Sequence, residues 1–146
     1  MTKQHATIAL KRVYDEPASS DGTRVLVERL WPRGLSKERA QVDLWLKEVA
    51  PSHELRTWFG HNPQKFAEFH RRYEAELASG AAQSALCVLR NLARQGPLTL
   101  VFTAHDVEHT NAVVLRDLLA SNDLSNRDEQ GNGRRQNREG SEKSMT

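Results

Sequence analysis

The segment Val101-Phe102-Thr103-Ala104-His105-Asp106-Val107-Glu108-His109 contains the spacing H-x-x-E-H. On one face of a helix, that spacing can bring two imidazoles to a zinc ion and hold the glutamate as general base. The surrounding residues argue against it. The run "LTLVFTA" before His105 is strand-like, so His105 falls in a strand-to-helix loop and His109 near the first turn of the helix that follows. A third acidic ligand would have to come from Asp117 or from the polar C-terminal segment, and we expect no metal here. Asp106 is instead suited to cap the last helix, with Glu108 at its positive end. His105, Asp106 and His109 then remain as a group that could move a proton near neutral pH, which makes them candidate catalytic residues.

A second concentration of chemistry lies in "VERLWPRGLSKERA", where Glu28, Arg29, Trp31, Arg33 and Lys37 fall close together. Trp31-Pro32 stiffens the chain and Gly34 permits a tight turn, so the guanidinium groups can be held in fixed directions. Arginine in a rigid setting suits bidentate recognition of phosphate or carboxylate. These five residues, with Arg12, are candidate ligand-binding residues. The competing structural reading makes Glu28 and Arg29 ion-pair partners of neighbours and Trp31 a core residue.

Positioning these residues requires an α/β fold. "TIALKRVY" alternates in the manner of a strand and ends at the turn-rich "DEPASSDG"; "RVLVERL" contains a short continuous apolar run, as in a strand covered on both faces. "QVDLWLKEVAPS" fits a strand or a helix, and the alternation of Val42, Leu44 and Leu46 favours a strand. Ser52 can cap a short helix that Gly60 ends. Asn62-Pro63 opens a helix carrying Phe66, Phe69, Tyr73 and Leu77 on one stripe, which Gly80 closes. A further helix carries Leu86, Leu89, Leu92 and Ala93 and stops at Gly96-Pro97, and "EHTNAVVLRDLLAS" supplies the last.

Helices between strands imply a small, mostly parallel sheet covered by helices, in a single domain over residues 1–120. From about Ser121 the composition turns to Asn, Gly, Ser and charge, and residues 121–146 are expected to form a disordered polar tail. The tail's five basic and five acidic residues cancel, which leaves the formal charge of +2 to residues 1–120. The single cysteine, Cys87, excludes an intramolecular disulfide; it falls in an apolar helix and reads as a buried structural thiol. No signal-like start or membrane-length apolar run occurs, so a cytoplasmic protein without membrane contact is expected.

In parallel α/β sheets ligands gather beyond the carboxyl ends of the strands. If the strands before Glu28 and before Thr103 are parallel neighbours, the LWPRG and HDVEH loops line one cleft, to which the last helix adds free N–H groups. That cleft is expected to take a small anion of phosphate, nucleotide or carboxylate type, with catalysis possible. An alternative is a nucleic-acid-associated regulator with Lys11, Arg12, Arg24, Arg29, Arg33 and Arg39 on phosphates, although acidic neighbours offset them and no recognition motif is visible. A third is a protein-interaction domain with an exposed aromatic patch around Trp58 and Phe59. Lys47, Ser52 and Arg56 could reach the cleft. The residues name no cofactor, reaction or oligomeric state.

"KRVYD", "RVLVERLWPRGLSKE", "WLKEVAPSHELRTWF" and "LTLVFTAHDVEHTNAVVL" together resemble the YeaO-like proteins, the family known as domain of unknown function 488. The resemblance spans about residues 6–119, and the Trp-Pro-Arg-Gly loop is its most specific element. It implies the fold and a soluble bacterial protein, and no particular reaction. Where the family has aspartate before arginine in this loop, the chain has Glu28, and where members often have lysine ahead of the last-loop aspartate, it has His105. A lysine is a poor zinc ligand, so the resemblance also favours a charged or hydrogen-bonding role for that position.

Overall fold

The computed structural model describes the backbone of residues 8–130 and the side chains of residues 8–121. Four strands form the sheet: β1 (Ile8–Arg12), β2 (Thr23–Leu26), β3 (Leu44–Trp45) and β4 (Leu98–Phe102). Their order is β1-β4-β2-β3, and every pairing is parallel. The strands before Glu28 and before Thr103 are parallel neighbours, which meets the condition for a shared cleft, with Val25 opposite Leu100 and Leu26 opposite Val101. The ambiguous segment contributes only the two-residue edge strand β3, because two pairings to β2 exhaust its register.

Period-two alternation puts Leu26 and Val101 on one face of the sheet and Val25 and Leu100 on the other. All four are completely buried. That both faces are covered explains why β2 and β4 read as unbroken apolar runs in the sequence. On the first face, Val13, Leu26, Ala40 and Val101 form a core cluster overlaid by Trp31, Leu35, Val42 and Trp45.

The helices are α1 (Lys37–Ala40), α2 (His53–Phe59), α3 (Phe66–Glu76), α4 (Gly80–Gln95) and α5 (Asn111–Gln130). Ser52 caps α2 by accepting from the Leu55 N–H, and Gly60 ends it in the left-handed conformation. Asn62-Pro63 opens a short 3-10 turn over Pro63–Lys65, and α3 proper begins only at Phe66. Gly80 opens α4 and does not close α3, which stops at Glu76. In α4 the buried positions are Ala85, Leu86, Leu89 and Ala93, and Cys87 is exposed. The buried-thiol expectation is therefore corrected: Cys87 is next to the stripe in sequence but a hundred-degree turn away from it in space.

The last helix begins at Asn111, later than the periodicity predicts, because Asp106 turns the chain once before it can start. The Asp106 carboxylate accepts the Glu108 and His109 N–H groups, and Thr110 then receives the Val113 N–H at the true helix entry. Helix α5 runs on to Gln130, past the composition change near Ser121; the first glycine beyond that change is Gly131. Residues 131–146 of the expected disordered tail lie outside the described residues. The chain divides into a unit ending at Arg116 and a second from Asp117, and the sheet and the site below belong to the first. No described helix is long and apolar enough to cross a membrane.

Candidate functional site

A cavity of about 650 Å³ opens at the carboxyl edge of the sheet, and each strand exit contributes to it. Tyr14 follows β1, Glu28 to Arg33 follow β2, Ala50 and Pro51 follow β3, and Thr103 and Ala104 follow β4. All four strands point the same way, so four loops reach one edge.

The loop after β2 is held from several sides. The indole Nε1 of Trp31 donates to Leu35 O at 2.7 Å, and that of Trp45 donates to Glu28 O at 2.7 Å. The two indoles meet edge to face, with centroids 5.5 Å apart. Tyr14 Oη donates to Arg33 O at 3.2 Å. Trp31 is thus both packed on the core and part of the cavity wall. The two readings of this tryptophan are not exclusive.

Glu28 joins this loop to the one after β4. Its carboxylate accepts the Thr103 N–H at 2.9 Å and the Thr103 hydroxyl at 2.9 Å. Arg12 secures the same loop from the other strand, donating from Nε to Ala104 O at 3.0 Å and from Nη2 to Thr103 O at 3.0 Å. Arg12 is not among the residues lining the cavity, and its guanidinium faces backbone carbonyls. Lys37 is exposed on α1 and also stands outside the lining.

The H-x-x-E-H segment is not helical, so its two histidines do not share a helical face. His105 is exposed and does not line the cavity, whereas His109 does. His109 Nδ1 lies 2.8 Å from Asp106 Oδ2, and its ring stands edge-on to Phe66 with centroids 5.2 Å apart. The hydrogen bond from His109, followed by that from the Glu108 N–H, holds the Asp106 carboxyl below the usual carboxylate range. With Nδ1 engaged, Nε2 is the nitrogen left to a ligand. Among the described residues no group of three or more His, Cys, Asp or Glu side chains is arranged to hold a metal ion.

Sequence reasoning missed much of the wall. His53, Thr57, Phe59, His61 and Phe69 all line the cavity beside Arg56, from α2, the turn after it and α3. The signal that could have found them is the stripe His53, Arg56 and Thr57, at three- and four-residue steps on one helix. Of the three residues near "APS", only Arg56 lines the cavity; Ser52 donates its hydroxyl to Glu76 at 2.6 Å, and Lys47 lies over the Trp45 ring. Arg56 Nε is buried without a hydrogen-bond partner. Arg29 spends one N–H on Ala50 O at 3.2 Å.

Some residues of both alternative readings are engaged within the protein, while Arg29, Arg33 and Arg39 of the nucleic-acid reading stay exposed. Arg24 is buried, pairs with Asp21 at 2.8 Å and donates to Ala40 O and Gln41 O, and Lys11 also pairs with Asp21. Neither is available for a nucleic-acid phosphate. Phe59 is buried, and half-buried Trp58 lies beneath Lys65 and Arg72, so these two rings do not form an exposed aromatic patch.

An all-parallel α/β sheet with a cationic cavity across its strand exits is the class of protein that fold and site define. The chain belongs to the family described as the inactive DUF488-N3 subclade, whose model matches residues 7–138. It is 43% identical to an uncharacterized protein of Mycobacterium tuberculosis over 112 residues, 77% of this chain and 92% of that one. It is also 43% identical to the uncharacterized protein YeaO of Escherichia coli over 114 residues, 78% of this chain and 97% of that one. The YeaO-like resemblance read from the sequence is borne out. No solved structure matches the chain.

Proposed function

We propose that this cavity binds a small oxyanion, of phosphate or carboxylate type, and that the protein acts by binding it. The observation that carries this reading is the convergence of Arg29, Arg33 and Arg56 on one cavity whose single lining carboxylate, Glu28, is already engaged by Thr103. The cavity volume falls within the range of about 300–1,000 Å³ usual for ligand sites.

Of the lining hydroxyls, Tyr14 donates to Arg33 O and Thr103 to Glu28, so neither is held for His109 to activate, which supports binding over covalent turnover. The family's own description as inactive supports the same choice. Asp106 then orients His109 as a ligand contact, and His105 has no part.

Isothermal titration of the full chain with phosphate, sulfate and acetate tests the reading. Arg33→Lys and His109→Ala should each weaken the anion that binds by about 1–3 kcal/mol, while His105→Ala leaves its affinity unchanged. If none of these anions, nor an organic phosphate or carboxylate, binds the native chain, the proposal fails.

A further inference from the structure

The arginines account for only part of the wall. Half-buried Trp31 and exposed Tyr14 also line the cavity, with the buried Phe59 and Phe69 behind them, and a bare inorganic ion would leave the Trp31 and Tyr14 rings facing water. Phe59 and Phe69 lie nearly parallel, at 19° and 4.3 Å between centroids, and Phe66 stands 6.0 Å from each. His109 extends the series by meeting Phe66 edge to face. The rings form one ordered array that reaches the cavity through Phe59, Phe69 and His109.

Arg56 and Phe59 come from the same helix, three residues apart. That spacing places a guanidinium and a ring on adjacent parts of one surface. Resting on the anion reading above, we infer that the ligand is an organic oxyanion with a flat aromatic body, whose charged head meets the arginines and whose ring meets the Trp31 and Tyr14 surfaces. Aromatic walls favour a flat ring over a flexible chain, because stacked and edge-to-face contacts add to simple burial and a rigid body loses less entropy on binding.

The test is calorimetric titration of the full chain with phosphate, acetate, naphthoate, naphthyl phosphate, naphthylmethanol and undecanoate. At least one naphthyl anion should bind about tenfold or more tighter than the small anion with the same head group, than neutral naphthylmethanol and than undecanoate. Which naphthyl anion binds more tightly assigns the head group. Phosphate binding as tightly as naphthyl phosphate, with acetate matching naphthoate, would overturn the aromatic body and leave the anion reading standing. Undecanoate matching naphthoate would do the same. No binding by any anion would overturn both.

Trp31→Leu keeps an apolar side chain at this half-buried position and removes the ring, so the ratio of naphthyl to small-anion affinity should fall towards one. Tyr14→Leu gives the same comparison on an exposed residue if Trp31→Leu does not fold. An unchanged ratio in the folded variant would also overturn the inference.

Discussion

Glu28, at the exit of β2, accepts both the backbone N–H and the hydroxyl of Thr103, at the exit of β4. The residue that the sequence offers as a ligand contact is therefore the tie between two loops. Its two oxygens are turned towards the protein, which leaves the arginines beside it as the exposed charge of the cavity. Arg29 and Arg33 can face a ligand because Glu28 faces Thr103.

Replacing that carboxylate should loosen the cavity without emptying it. In Glu28→Gln an amide NH2 competes for positions now occupied by acceptors, and we expect a loss of about 1–3 kcal/mol in stability together with weaker anion binding. Thr103→Val removes only the hydroxyl donor and keeps the N–H, so its effect should be the smaller of the two. Urea midpoints of both variants check the ranking; a Thr103→Val loss exceeding that of Glu28→Gln would contradict it.

A second carboxylate should make stability depend on pH. Burial opposes ionisation of Asp21, but hydrogen bonds from the Ala18 N–H, Lys11 and Arg24 outweigh it and hold the carboxyl below its ordinary value. A carboxylate with a lowered folded pKa stabilises above its unfolded pKa of about 4 and loses that contribution as pH falls through the folded value. Asp21→Asn also strands the buried Arg24 guanidinium, at a cost of about 3–5 kcal/mol near neutrality. Denaturant midpoints at neutral pH and in acid should show the two proteins converging as the native Asp21 protonates. A constant gap would count against this origin.

Among the described glycines, Gly22 is the one least able to accept a side chain. Its φ is +65°, and a Cβ there would lie 2.3 Å from Pro97 O, whose carbonyl accepts the Thr23 N–H at 3.1 Å. Left-handed strain of about 1–3 kcal/mol is then joined by overlap with backbone. Gly22→Ala should lower the thermal midpoint far more than Gly34→Ala, also at positive φ but with nothing within 4 Å of its Cβ. Equal losses in the two would refute the steric argument.

The fold was legible where burial imposed a local pattern. β2 and β4 are apolar without interruption because both faces of the sheet are covered, and the α4 stripe is regular because one side packs. The site was legible only by loops. Arg33, Glu28 and His109 sit in dense, chemically suggestive strings, whereas His53, Thr57 and Phe59 look like ordinary members of a short helix and reach the cavity only through packing. Arg12 and His105 show the reverse error, since a charged or ionisable residue beside a motif can be turned to the backbone or to solvent by a single bond rotation. Start positions failed for a further reason: Asp106 satisfies N–H groups of a turn before the helix, and in sequence that is indistinguishable from a helix cap.

The strand order sets when this sheet can exist. β4 lies between β1 and β2, yet it is the last of the four to be synthesised, so roughly two-thirds of the chain must leave the ribosome before either neighbour finds its partner. Until then β1 has no hydrogen-bonded strand beside it, and β2 has only the two-residue β3. Every pairing made by β4 closes a long loop, of the kind that slows folding and keeps apolar edges open in the meantime. The insertion of Leu98–Phe102 is therefore the step that commits the chain, and it completes at once the sheet and the edge on which the cavity is built.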